Sequence, residues 1–378
     1  MKLISLFTGI GAYERALKNN GVEYDLVKFC EVDKFAVQSY CAIHGEDVGN
    51  NLGDIQAVNP STLPEVDLVT FSYPCTDLSL AGKQRGFFED NGDVSRSGLF
   101  FSAADIIASC RPKFAISENV ASLTLPKFKT EFDLVKSTLE EAGYHNYWTV
   151  LNAKDFGLPQ HRERMFMLSV REDIDHGFVF PKGNGENGES GCIADILEPE
   201  ENVDAKHYLK PSRLEKLIWY NPVKEWVGIV TAGSLETGHQ RDRIYSIEGL
   251  SGTLTATDHK QPKQIDVRGR VQQIAKLDSH RDNPNQYRVY DAEGLSPTLT
   301  TMGGGGRQPH IPINGGVRRF TPLECFRLMG FGDEDYQKCV EAGVSDTQMY
   351  RQCGNSICVN VLEAIFDELS IQYPREFV

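Results

Sequence analysis

The sequence predicts a doubly wound α/β domain with a mostly parallel sheet, joined to a smaller, irregular β-rich domain. Three observations carry that expectation. Short apolar runs alternate with helical patterns through the first 170 residues. A turn with two glycines follows the first run, and an acidic residue ends the second. After Pro181–Ser190 (PKGNGENGES), a linker-like stretch, the helical periods thin out and short runs rich in Gly and Thr take over.

The strand-like runs are Lys2–Phe7, Leu26–Cys30, Val66–Phe71, Lys113–Ser117, Tyr147–Leu151 and Met165–Val170. Between them lie helix candidates Tyr13–Asn19, Lys34–Ile43, Gly98–Ser109 and Glu131–Ala142. Residues 191–315 contain a near-repeat: RIYSIEGLSGTLT (243–255) matches RVYDAEGLSPTLT (288–300) at an offset of 45. Two copies are too few for a solenoid and read as two similar hairpin-type units. Helices return near the C-terminus. Thr321–Met329 carries a Thr cap, Pro at the first position and Glu three residues after the cap. Asn360–Leu369 is amphipathic and is expected to dock on the first domain. Residues 1–184 with 340–378 are therefore assigned to a catalytic and cofactor-binding domain, and 185–339 to a recognition domain.

Bulk composition narrows the function classes. At 378 residues, 40% apolar and 24% charged, the chain has material for a real core. No stretch approaches the ~20 apolar residues of a membrane span, and no signal peptide precedes the first run. Nine cysteines in no disulfide framework, without the partners of a zinc site, point to a reduced, cytoplasmic protein and no metal. The net charge is −14, but unevenly spread. Residues 205–327 hold 18 Lys+Arg against 12 Asp+Glu, or +6; the remainder has 21 against 41, or −20. A basic segment in an acidic chain fits a localised polyanion-binding face as well as scattered surface charge.

Chemistry concentrates at strand ends. Cys75 follows Pro74 just past the run Val66–Phe71. The run Phe114–Ser117 ends in Glu118-Asn119, so a carboxyl surfaces beside the thiol if the two strands are neighbours. A thiolate beside a carboxylic acid suits covalent attack on an electron-poor ring or carbonyl. The first strand runs into Phe7-Thr8-Gly9-Ile10-Gly11-Ala12, where glycines permit a tight turn and close approach of a ligand to the helix N-terminus. Glu31 ends the second strand, where a carboxylate can hold ribose hydroxyls. Glu14 occupies the place of the third glycine of the dinucleotide fingerprint, so a nucleoside such as S-adenosylmethionine suits the loop better than NAD. Gly53-Asp54-Ile55, where a third strand is expected to end, can receive the adenine or serve as a turn.

These motifs together resemble the C5-cytosine-specific DNA methyltransferases of bacterial or phage type, over nearly the full length. They appear in the family's order: SLFTGIGAYERAL (5–17), CEVD (30–33), GDI (53–55), SYPCTDLSLAGKQRGF (72–87), SENV (117–120), GLPQHRERMF (157–166), RRFTPLECFRLMGF (318–331) and YRQCGNSICVNVLEAIF (350–366). The resemblance implies methyl transfer from S-adenosylmethionine to cytosine in a specific duplex sequence, with the base flipped out and a role in restriction-modification. It implies that Cys75 attacks C6 and that Glu118 contacts N3 and the amino group. Arg164, with Arg162 alongside, would steady the carboxyl, the base or a phosphate. Phe7, Thr8, Gly9, Ile10, Gly11, Glu31, Val32, Asp54, Ile55, Pro74, Leu99, Asn355 and Ser356 would line the cofactor pocket. For DNA contact it suggests Lys83 and Arg85 in the loop Ser79–Phe87, and Arg243, Arg288, Thr298, Thr300 and Arg307 in the variable region. The expected partner is double-stranded DNA, met as a monomer, with any cognate endonuclease a separate protein. A tRNA cytosine methyltransferase and an inactive DNA-binding relative are the alternatives. Two departures stand out: Thr76 where the family commonly has Gln, and Ala12 in place of a second glycine.

Overall fold

The computed structural model describes residues 1–74, 87, 95–183, 191–210, 212, 217–219, 231–234, 243–246, 264–266, 273–277, 288–292, 294–299, 309–313 and 316–377. Its centre is a six-stranded sheet. The strands are β1 (Lys2–Leu6), β2 (Asp25–Cys30), β3 (Leu68–Phe71), β4 (Phe114–Val120), β5 (Tyr144–Asn152) and, after the two-residue β6 (Gln160–His161), β7 (Glu163–Arg171). Their order is β2-β1-β3-β4-β7-β5. All neighbours are parallel except that β7 runs antiparallel to both β4 and β5.

Successive side chains on each strand feed two different cores, as the two-residue period of a strand requires. Leu3, Leu68, Phe114, Ile116, Phe166 and Leu168 face one layer. Ile4, Val69, Ala115, Met165 and Met167 face the other. Helices α1 (Ala12–Asn19) and α2 (Lys34–His44) contribute Ala16, Leu17, Tyr40 and Ile43 to the first layer. Helices α3 (Phe100–Cys110) and α4 (Lys129–Glu141) contribute Phe100, Ile107, Val135 and Leu139 to the second. The doubly wound expectation is met, because runs apolar on both faces leave a strand no solvated side.

The Gly53 segment departs from expectation. Asn51 forms a lone parallel bridge to Phe29, and Ile55–Ala57 is a single 3-10 turn, so no strand ends there. The third sheet strand is β3.

Beyond residue 210 the described pieces are short strands: β8 (Leu217–Trp219), β9 (Thr231–Ser234), β10 (Arg243–Ser246), β11 (Gln264–Asp266), β12 (Gln273–Leu277), β13 (Arg288–Tyr290), β14 (Ser296–Pro297), β15 (His310–Ile313) and β16 (Gly316–Arg319). The sequence repeat has a structural counterpart. In the first copy, β10 pairs antiparallel with β9 before it and parallel with β11 after it. In the second, β13 pairs antiparallel with β12 and parallel with β15. Each copy is thus the middle of an equivalent strand triplet, in two separate sheets.

Four helices complete the chain: α5 (Pro322–Leu328), α6 (Asp333–Glu341), α7 (Asp346–Asn355) and α8 (Val359–Gln372). The capping box at Thr321 forms as expected, with the Glu324 amide donating to Thr321 Oγ1 at 3.2 Å and the Thr321 amide to Glu324 Oε2 at 2.9 Å. Helix α5 lies on the recognition side of the 339/340 boundary, yet Cys325, Phe326 and Leu328 share a core with Leu3, Ala16 and Leu362. Helix α8 packs on α1, with the Phe366 ring edge-on to Tyr13 at 6.5 Å. Among the described residues, no helix is long and apolar enough to cross a membrane.

Candidate active site

The C-terminal ends of β1, β2, β3 and β4 converge on one edge of the sheet, where ligands of open α/β sheets bind. The β1–α1 turn shows why its residues matter. Gly9 and Gly11 have φ of 55° and 81°, and Phe7 holds φ 56°, a left-handed conformation that a bulky aromatic seldom adopts. Gly11 is required twice over. A Cβ there would lie 2.1 Å from His44 Nε2 and 2.9 Å from the Tyr40 ring. Burial pulls the His44 pKa down to about 3, so the ring is neutral beside the Ile10 carbonyl, 3.0 Å from Nε2.

Glu31 clamps this turn to the end of β2. Its Oε2 accepts the Gly9 amide at 3.0 Å, and its Oε1 accepts the amides of Val32 and Asp33, each at 2.8 Å. A carboxylate has about four acceptor positions, so capacity remains for a ligand hydroxyl. Val32 beside it is 72% exposed, an unusual placement for a large apolar side chain. Asn51 was missed by the sequence reading. Its side chain accepts the amides of Glu31 and Gly53, each at 3.0 Å, and donates to the Glu31 carbonyl at 2.9 Å. Asp54 is exposed and spends Oδ1 on the Gln56 amide, the turn role, while Ile55 is buried below it. The Thr8 hydroxyl is buried and has no hydrogen-bond partner among the described residues. Glu14, in the place of the third glycine, turns inward, where Tyr40 donates to it at 2.9 Å and burial raises its pKa.

The second half of the site lies at the ends of β3 and β4. Phe71 and Ser117 are in register, so the residues that follow each strand emerge side by side. Asn119 Nδ2 donates to the Tyr73 carbonyl at 3.2 Å, tying the β3 exit to β4. Pro74 is half-buried and Cys75 comes next in the chain. Cys75, Lys83, Arg85, Thr300 and Arg307 lie outside the described residues. Phe87, at the end of the predicted loop, is buried in an aromatic cluster with Tyr73 at 6.2 Å and Phe100 at 6.0 Å. Leu99, at the start of α3, is half-buried against the same layer.

Glu118 is 9% exposed, and burial raises its carboxyl pKa against the lowering effect of Arg164 and Arg162. Arg164 Nε sits 3.0 Å from Glu118 Oε1. The antiparallel pairing of β7 with β4 makes this contact, since Arg164 lies opposite Val120. Arg162 acts on the Glu118 carboxyl through its charge and also has a second set of contacts. Its guanidinium donates to the carbonyls of Leu299 at 3.0 Å, Gly354 at 3.1 Å and Ser356 at 2.6 Å. It therefore stitches the second repeat copy and the C-terminal motif to the sheet. Gln160 reinforces that seam, donating to the Leu328 carbonyl at 2.8 Å and accepting the Leu299 amide at 3.1 Å. Asn355 and Ser356 end α7 at this seam, and the neighbouring Cys358 thiol feels the charges of Arg162, Arg164 and Glu118.

Of the DNA candidates, Thr298 donates its hydroxyl to the His161 carbonyl at 2.7 Å, a bond within the seam. Arg288 begins β13 and hydrogen-bonds the Tyr290 hydroxyl; Arg243 begins β10. No three or more metal-ligating side chains cluster among the described residues.

Comparison with known proteins gives the family and the fold. The family model of the C-5 cytosine-specific DNA methylases matches residues 1–370. The orphan methyltransferase M.SPRI of Bacillus phage SPR is 33% identical, covering 99% of this chain and 98% of its own. The orphan methyltransferase M.Rho11sI of Bacillus phage rho11s is 30% identical, covering 100% and 99%. The type II methyltransferase M.HhaI of Haemophilus parahaemolyticus is 31% identical, covering 97% and 93%. Among solved structures, a putative prophage-encoded DNA modification methyltransferase of E. coli superposes with a TM-score of 0.61 at 20% identity, covering 98% of this chain and 99% of that one. S. pombe Dnmt2 gives 0.62 at 18%, with the same coverage. At those identities the likeness establishes the fold.

Proposed function

This chain belongs to the C-5 cytosine-specific DNA methylase family, and from that premise we propose that it methylates C5 of cytosine in a specific duplex sequence, using S-adenosylmethionine. The observation that carries the proposal is the pairing of strand ends: the exit toward Cys75 is held beside a buried Glu118 that Arg164 contacts.

The β1–α1 turn fits a nucleoside cofactor. Its positive-φ glycines leave room for close approach, the Thr8 hydroxyl is a buried polar atom without a partner among the described residues, and Glu31 retains acceptor capacity. Glu31 is assigned to the ribose, exposed Val32 to the adenine face, and Asn355 with Ser356 to the far wall. S-adenosylmethionine supplies an electrophilic methyl group.

The residues around the base divide the remaining work. The Cys75 thiolate forms a bond to C6, and ring electrons move toward C5 and N3. Glu118, whose pKa burial raises, would in its neutral form donate to N3 and lower the cost of that charge. Arg164 fixes which way the carboxyl points. C5 would then take the methyl group, the broken S–CH3 bond's pair staying with the departing thioether. The C5 proton would pass to solvent water, its bonding pair would restore the C5–C6 double bond, and the C6–S pair would leave on the Cys75 thiolate. C5 lies inside the stacked duplex, so the base must swing out at a cost of a few kcal/mol. We propose that this methylation serves restriction-modification or shields DNA from restriction, as the type II and orphan methyltransferase names of the relatives suggest.

The test is tritiated methyl transfer to duplex DNA with tRNA in competition, followed by bisulfite sequencing of plasmid from expressing cells. Converted DNA with protected cytosines in one sequence context is the expected result. Cys75→Ala should abolish transfer and leave cofactor affinity near normal, and a 5-fluorocytosine duplex should trap a covalent adduct only with Cys75 present. Methylation of tRNA alone, or activity surviving Cys75→Ala, would overturn the assignment.

A further inference from the structure

The loop that leads to the nucleophile is held from two sides, and one of those holds has no role in the chemistry derived above. Tyr13 stands in the first turn of α1, two residues after Gly11. Its ring is 4% exposed and packs edge-on against Phe366 at 6.5 Å, so packing alone is satisfied by the ring. Its hydroxyl continues past that contact and meets Ser72 Oγ at 3.1 Å. Ser72 is the first residue beyond β3 and stands three positions before Cys75. The next residue, Tyr73, is held through its carbonyl by Asn119 at 3.2 Å. Two consecutive residues of the exit are thus fixed by two different elements: one carries the cofactor turn, the other carries Glu118.

We propose that the Tyr13–Ser72 hydroxyl pair is a positioning link that couples the cofactor turn to the loop bearing Cys75. The proposal rests on the methylase reading above, since it assigns the loop and the turn their partners. Nothing in the core demands a phenol at this position, because Phe fills the same volume. A buried phenol that lacked a partner would carry a desolvation cost. The pair therefore commits Tyr13 and Ser72 to one mutual geometry. That geometry is useful because a reacting atom misplaced by about 1 Å can cost roughly a hundredfold in rate. Any shift of α1 on cofactor binding is transmitted through one hydrogen bond to the third residue before the thiol. Burial raises the Tyr13 pKa and keeps the phenol neutral, so either hydroxyl of the pair can be the donor.

The test compares Tyr13→Phe, Ser72→Ala and the double variant in the full chain. Each single variant should lower kcat about five- to tenfold, the size of one lost hydrogen bond, with KM for S-adenosylmethionine nearly unchanged; the unfolding midpoint should hold for Tyr13→Phe and fall for Ser72→Ala, which strands the buried phenol. The double variant should be no slower than the slower single, since both remove the same bond. A second readout is independent of turnover: the rate of Cys75 alkylation by iodoacetamide, with and without S-adenosylhomocysteine, followed by mass spectrometry. The wild-type rate should depend on that ligand, and Tyr13→Phe should lose the dependence. Unchanged kcat in both singles, losses that multiply in the double, a loss confined to KM, or equal ligand dependence in wild type and Tyr13→Phe would overturn the link. So would a wild-type labelling rate indifferent to the ligand. A wild-type protein that binds the ligand but methylates nothing would instead refute the methylase reading, and the labelling arm would still judge the link.

Discussion

Arg162→Met separates a seam residue from a catalytic one. Arg162 is 3% exposed and its guanidinium serves the carbonyls of Leu299, Gly354 and Ser356, residues brought from two distant parts of the chain. Methionine keeps most of the stem and removes every donor. A buried acceptor that loses its donor costs about 1–3 kcal/mol, so three could cost up to ~9. Relief from burying a guanidinium offsets part of that, and about 3 kcal/mol is the expected net loss. That is more than a hundredfold in the folded-to-unfolded ratio. Urea unfolding followed by tryptophan fluorescence should show the loss, and calorimetric titration should show S-adenosylmethionine affinity weakened about tenfold as the Ser356 side loosens. Arg162→Lys, with a compact head that cannot span three carbonyls, should recover little. An unfolding curve and cofactor affinity identical to wild type, with kcat alone collapsed, would refute the reasoning and return Arg162 to the base or the phosphate.

Three further outcomes follow from the geometry. Burial raises the Glu118 pKa above the ordinary 4.5, so the folded state favours the neutral acid. Its stabilising contribution is full at low pH and lost as pH rises through the folded value; Glu118→Gln should therefore gain stability relative to wild type across that rise, measured by unfolding free energy against pH, while kcat falls about a hundredfold. Gly11→Ala forces a Cβ to within 2.1 Å of His44 and a side chain into φ 81°, so cofactor binding should be lost, with a lowered unfolding midpoint by calorimetry; normal binding would show that the turn adapts freely. Arg318 and Glu324 form a fully buried bidentate pair at 2.8 and 2.7 Å; Arg318→Met should cost about 3–5 kcal/mol in urea unfolding, and Arg318→Met with Glu324→Leu distinctly less, because the second change removes the stranded charge.

Much of the first domain was legible because its determinants are local. Within the run 66–71, Leu68, Val69 and Phe71 are apolar with no strict alternation, which suits a strand covered on both faces, and β3 (Leu68–Phe71) is buried throughout. The helix after Thr321 announces itself through a cap, a proline and a glutamate within four residues, and each forms the contact its type implies. Gly9 and Gly11 mark a turn that only positive φ can make. The misreading at Gly53 has the same origin. A Gly-Asp pair is a turn signal, but whether a strand precedes it depends on what pairs with Asn51, and only Phe29 does.

The stretch 185–339 was less legible, because its described strands are two to five residues long and several pair with segments tens of residues away, β12 with β8 and β14 with β6 among them. The repeat could be seen as a repeat, but not as two strand triplets in separate sheets. The two arginines make the division plain. Arg162 and Arg164 are two residues apart in one motif, and by type and spacing both looked fit for the carboxyl. Pairing of β7 against β4 delivers Arg164 to Glu118 and leaves Arg162 facing three carbonyls of later segments. The chain by itself specified where strands end near candidate side chains, since periodicity and backbone restriction act over a few residues. Which of those ends meet, and which cation serves the acid, was decided by strand order and direction, because those depend on contacts between residues tens to hundreds of positions apart.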